Sequence, residues 1–142
     1  MGAVIERSEE VERRDVIVGK HLYANLYGID PVRGGDEEGL REVVAEAARA
    51  SNMTLLEVRS WRLGGPKGGV SVIALVLESH IAVHTWPGYG YATVDVYTCG
   101  EKSDPFKGLK LIVEYLRPED YSVAFADRTQ RPRRWTRSAS ST

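Results

Sequence analysis

One cysteine, Cys99, lies a short way beyond two of the three histidines, His80 and His84. With Ser71, Glu78 and Ser79 they make SVIALVLESHIAVHTWPGYGYATVDVYTCG the chemically densest part of the chain. Metal binding is one use for such residues, because histidines four apart share a helix face. In a strand the same spacing separates them by about 13 Å, too far for one zinc. The alternating, β-branched surroundings read as strand, and there is no HExxH pattern, so no metal is expected. A thiol nucleophile with an imidazole partner is a second use, and Cys99 with a distant His is its minimal form. Taken singly, Cys99 reads more simply as a small filler near a strand end, and His84 as a hydrogen-bonded sheet histidine.

The elements that must position these residues follow from periodicity. Val16–Leu26, Leu55–Trp61, Val70–Leu77, Ile81–Thr85, Ala92–Thr98 and Tyr121–Ala126 read as strands. Val70–Leu77 is apolar at nearly every position, the pattern of a strand buried on both faces. Asp36–Ser51 reads as a helix capped by Asp36, with Leu40, Val43, Val44, Ala47 and Ala48 on one side. A second helix starts at Ser103-Asp104-Pro105, carries Phe106, Leu109, Ile112, Val113 and Leu116, and ends before Pro118. This order predicts an α+β two-layer sandwich, a largely antiparallel sheet with two main helices on one face.

The 142 residues fit one domain, predicted over 16–127 between a charged N-terminal tail, 1–15, and a basic C-terminal tail, 128–142. Lys+Arg 19 against Asp+Glu 20 leaves a net charge of -1, with no overall field for nucleic acid or an anionic membrane. Arg128, Arg131, Arg133, Arg134 and Arg137 could form an RNA-binding arm, but aromatic residues are interleaved only at Trp135, so a solvated tail is expected. No apolar run reaches the roughly 18–20 residues of a membrane span. The acidic start lacks the apolar core of a secretory signal. A lone cysteine excludes an intrachain disulfide framework, and a cytoplasmic location is expected.

A third chemistry takes Glu78-Ser79 as a self-cleaving bond. ESHIAVHTWP followed by YATVDVYTCG closely resembles the prokaryotic form of the pyruvoyl-dependent S-adenosylmethionine decarboxylases, whose superfamily includes the crenarchaeal pyruvoyl-dependent arginine decarboxylases. The resemblance runs from about Gly19 to Asp127 and keeps the family spacing of Ser79, His84 and Cys99. It implies that the Ser79 hydroxyl attacks the Glu78 carbonyl and forms an ester. Loss of the Ser79 α-proton expels the Glu78 carboxylate, leaving a dehydroalanine that hydrolyses to a pyruvoyl group and ammonia. A base and an oxyanion donor are needed, and the family pattern assigns His84 and Ser71 to them. The implied products are a β chain, 1–78, and an α chain, 79–142, in one folded unit. The implied cofactor is that pyruvoyl group, which forms a Schiff base with the substrate amine. The stretch 68–101 agrees, since it has no lysine to anchor pyridoxal phosphate. Cys99, mostly protonated at neutral pH with a reference pKa of about 8.5, is the implied proton donor to the substrate α-carbon.

Two positions depart from the S-adenosylmethionine enzymes. Gly88 stands where those carry the glutamate that can hold the ribose, and Gly65 stands where they place an aromatic residue against adenine. Loss of stacking removes about 1–3 kcal/mol of base recognition, and loss of the carboxylate removes a charge-assisted hydrogen bond. Both favour a substrate without adenosine, and GGPKGGVSVIALVLESH looks like the arginine decarboxylase subgroup. A guanidinium wants a carboxylate, for which Asp30, Glu57, Asp95 and Glu101 are all open. Trp61 or Trp86 could wall its aliphatic part, though packing is the simpler role for both. The expected function is therefore arginine decarboxylation to agmatine for polyamine synthesis. S-adenosylmethionine decarboxylation by the same mechanism is the alternative. An inactive paralogue serving as a partner subunit is a second, unsupported because Ser79, His84 and Cys99 are all present. The resemblance further implies a homo-oligomer of αβ units whose facing protomer completes the pocket.

Overall fold

The computed structural model describes residues 16–131; the tail expected at 1–15 and all but residues 128–131 of the tail expected at 128–142 lie outside them. Alternating patterns become strands β1 (Lys20–Tyr27), β2 (Leu55–Arg62), β3 (Val70–Val76), β4 (Ser79–Trp86), β5 (Tyr91–Thr98) and β6 (Asp120–Asp127). They form one six-stranded sheet in the order β2-β3-β4-β5-β1-β6, antiparallel at every pairing. Backbone pairing continues past β1 and β6, with Arg128 N–H donating to Gly19 O and Gln130 N–H to Ile17 O.

Helix α1 (Pro31–Gly34) is a single turn that sequence periodicity does not reveal, nucleated by the Asp30 side chain accepting from the Val32 and Arg33 amides. Helix α2 (Glu37–Ala50) is capped by Asp36, whose side chain accepts from Gly39 N. Glu37 and Glu38 in its first turn and Arg49 in its last complement the helix dipole. Helix α3 (Pro105–Leu116) is capped by Asp104, with Pro105 at its start and Arg117 in the left-handed region (φ 50°) at its end.

The helices cover one face of the sheet. Leu40, Val44, Ala47 and Ala48 of α2 and Leu109, Ile112 and Leu116 of α3 pack with Leu22, Leu26, Val72, Ile81, Val83, Val94 and Val96 in one core. At the α2–α3 contact a Cβ on Gly108 would lie 2.4 Å from Ser51 Oγ, so the helices approach over a glycine. The α+β two-layer sandwich expected from sequence is the fold observed.

Among the described residues, nothing packs over the other, open face of the sheet. Ile73 and Leu75 of β3 are 39% and 50% exposed there, although the apolar run in β3 predicted burial on both sides. The strand is interior to the sheet, but among the described residues no second layer covers Ile73 and Leu75. Tyr23, Tyr27 and Trp61 project from the same face and are about half exposed.

Candidate active site

Strands β3 and β4 are joined by a two-residue turn, Leu77-Glu78, and Val76 pairs with Ser79 across it. The Glu78–Ser79 peptide therefore sits where the turn enters β4. Ser79 has φ 151°, a conformation that favours glycine and costs a serine roughly 1–3 kcal/mol. Such strain persists only where the surroundings hold it. Here the Glu78 carbonyl accepts from the Cys99 backbone N–H at 2.8 Å. Ser79 Oγ lies 4.0 Å from Cys99 Sγ, and both residues are half-buried.

Cys99 is placed by a hydrogen-bonded turn that sequence reading did not single out. Thr98, fully buried, bonds through Oγ1 to Ser103 Oγ at 2.6 Å and accepts from Gly100 N–H at 3.1 Å. Ser103 Oγ donates to Gly100 O at 2.7 Å. Lys20 Nζ donates to the carbonyls of Glu101 and Ser103, tying the same turn to β1. The signal in sequence was the Thr98-Cys99-Gly100 triplet ahead of a Ser-Asp-Pro helix start, whose polar side chains do double duty.

Ser71 and His84 form a second cluster. They face each other across β3 and β4, with Ser71 Oγ 2.8 Å from His84 Nδ1. His84 is five residues along β4 from Ser79, or about 16 Å by strand rise. Within one chain the structure thus joins Ser79 with Cys99 and Ser71 with His84, and leaves the two pairs apart. An extended strand is the reason, for it separates residues that sequence spacing makes look close. Trp86 stacks on Tyr91 beyond His84, at 5.4 Å between ring centroids.

Between the pairs, on the open face, lies a further polar group. His80 on β4 and His21 on β1 flank Tyr97 on β5, and His21 Nε2 is 2.8 Å from Asp95 Oδ1. Arg128 stacks over the Tyr97 ring at 4.3 Å. Burial holds the His80 imidazole below its ordinary pKa, helped by the charges of His21 and Arg128 and opposed by Asp95.

The four acids left open by sequence now separate. Asp30 caps α1, and Glu101 lies exposed in the turn after β5. Glu57 is on the open face but is paired with Arg59 at 2.9 Å, two strands from Ser79. Asp95 is on the strand next to Ser79, paired with Ala82 three residues along β4. Gly65 and Gly88 both leave space: a Cβ on Gly88 would have only Pro66 O nearby, at 3.8 Å, and one on Gly65 would meet nothing within 4 Å. At each departure from the adenosine-binding pattern the space that a side chain would take is thus left open.

Residues 20–129 match the S-adenosylmethionine decarboxylase family. The chain belongs to that family. It is a decarboxylase, and the family is pyruvoyl-dependent and self-processing. An arginine decarboxylase proenzyme of Ignicoccus hospitalis is 65% identical over 115 residues, covering 81% of this chain and 80% of the relative. A protein of the same name from Hyperthermus butylicus is 59% identical, covering 83% of each. Among solved structures, the adenosylmethionine decarboxylase of Aquifex aeolicus is similar at a TM-score of 0.74 and 32% identity, over 82% of this chain and 95% of that one.

Proposed function

We propose that the chain cleaves itself between Glu78 and Ser79 and that the mature enzyme converts L-arginine to agmatine and carbon dioxide. The observation that carries the cleavage is the strained Ser79, set directly after a carbonyl already bonded to the Cys99 N–H. That N–H can stabilise the oxyanion formed when Ser79 Oγ attacks the Glu78 carbonyl carbon. Cleavage then leaves the β chain 1–78 and the α chain 79–142 interleaved in one sheet.

Position 79 suits a pyruvoyl group, being half-buried at a strand start beside the Cys99 thiol. There such a group supplies a carbonyl for the substrate amine and an electron sink for the departing carbon dioxide. Cys99 Sγ delivers the proton that the substrate α-carbon needs afterwards. Asp95, already oriented by His21, accepts the guanidinium. The distance along one strand step and three residues is one that an extended arginine and an aspartate side chain span together.

The processing base comes from a second copy. His84, oriented by Ser71, is too far from Ser79 of its own chain, while the open face carries half-exposed Ile73, Leu75, Tyr23, Tyr27 and Trp61. Packing two such faces about a two-fold axis buries that surface and sets the Ser71–His84 pair of one copy against Ser79 and Cys99 of the other. The active unit is accordingly at least a dimer of αβ units.

Arginine is favoured over S-adenosylmethionine by the names of the relatives cited above, and by glycines at 65 and 88 that offer no side chain to adenine or ribose. Intact mass tests the first half of the proposal. Two chains cut at Glu78/Ser79, the α chain blocked at its N-terminus, are expected, and a chain that never matures would overturn it. Release of labelled carbon dioxide from carboxyl-labelled arginine against labelled S-adenosylmethionine decides the substrate.

A further inference from the structure

The chemistry above gives the Glu78 carboxylate no task, yet it is firmly held. Its Oε1 accepts from the Thr54 backbone N–H at 2.9 Å, and its Oε2 accepts from Thr54 Oγ1 at 3.3 Å. The carbonyl of Thr54 in turn accepts from Leu77 N–H at 2.9 Å. One residue thus grips both positions of the Leu77-Glu78 turn, while Cys99 holds the Glu78 carbonyl from the other side.

We infer that Thr54 is a positioning residue for self-cleavage, acting through the Glu78 side chain to keep the scissile peptide in its strained orientation. A residue at positive φ relaxes unless neighbours over-determine it. The ladder between β3 and β4 ends at the Val76–Ser79 pair, so it does not restrain the Glu78 peptide beyond that point. Freed from Thr54, the turn could rotate the Glu78–Ser79 peptide at the cost of the single Cys99 bond. The carbonyl would then leave the Cys99 N–H and the line of attack of Ser79 Oγ together. Thr54 is exposed and Glu78 only half-buried, so these bonds exchange with water at little net cost to global stability. Their effect falls on geometry at one bond.

The inference rests on the self-cleavage proposed above, and its test separates the two. Newly made full-length chain is followed by mass as it matures, for wild type, Thr54→Val, Thr54→Ser and Glu78→Ala. Thr54→Val, which keeps the backbone donor, is expected to mature about three- to ten-fold more slowly, and Glu78→Ala, which loses both bonds, about a hundred-fold more slowly. Thr54→Ser, which keeps the hydroxyl, is expected to mature within about two-fold of wild type. In a cleavage-blocked Ser79→Ala background, Thr54→Val should shift Tm by no more than about 2 °C. Wild-type maturation by Thr54→Val, or failure of Thr54→Ser to rescue, would overturn the role. So would a Tm that falls in step with the rate. A wild-type chain that never cleaves would instead sink the self-cleavage proposal itself.

Discussion

The backbone N–H of Cys99 donates to the carbonyl of Glu78 at 2.8 Å, while the Cys99 thiol lies 4.0 Å from Ser79 Oγ. A single residue therefore offers two separable functions to the same bond. On the proposed reaction its amide serves the precursor, and its side chain serves the mature enzyme.

That separation makes a prediction for substitution. Cys99→Ala keeps the amide, so cleavage should persist at least in part, while decarboxylation falls by about 10²–10⁴-fold with loss of the proton donor. Ser79→Ala should abolish cleavage altogether. Mass spectrometry and carbon dioxide release read the two steps. An uncleaved Cys99→Ala chain would count against assigning the thiol to decarboxylation alone.

The distance between His84 and Ser79 makes a second. Ser79→Ala and His84→Ala chains should each fail to mature when made alone. Made together with different tags, the His84→Ala chain should be cut, because its partner supplies the histidine. Absence of any cut chain in the mixture would place the base in the same chain as Ser79.

Asp95 is expected to matter for substrate affinity. Asp95→Asn should raise KM for arginine about ten- to a hundred-fold, the scale of a charge-assisted hydrogen bond, with a smaller change in kcat. An unchanged KM would free Asp95 from this role and return attention to Glu57.

His80 gives a pH signature in the cleavage-blocked protein. Its folded-state pKa lies below the ordinary 6.5, chiefly through burial. Between those two values the unfolded chain binds more protons, so stability rises with pH there. Its contribution is therefore complete above about pH 7 and is lost as pH falls through the folded-state value. Denaturant midpoints measured in Ser79→Ala from pH 7 to 5 should decline, and His80→Gln should flatten that decline. Equal slopes in the two proteins would remove His80 as the cause, leaving Asp95, His21 and Arg128 as the charged groups facing that cluster.

Much of this was legible in the chain itself. Both long helices were marked by their caps, Asp36 and Asp104, because capping is local and a side chain reaches only its own first turn. Every strand was visible as a run of alternating or β-branched residues. The set Ser79, His84, Cys99 and Ser71 was recognisable because a family keeps spacing along the chain. Spacing could not reveal which members of that set meet. Antiparallel pairing across β3, β4 and β5 put Ser71 beside His84 and Cys99 beside Glu78, and extended geometry kept the two pairs about 16 Å apart. Nor could it reveal Thr54, the Thr98–Ser103 bond or the His21 partner that sets Asp95 apart from the other candidate acids, all brought together only by the folded chain. The apolar run of β3 announced burial on both faces. Only the sheet, with helices on one side and none of the described residues over the other, showed that half of that burial is not supplied within the described chain.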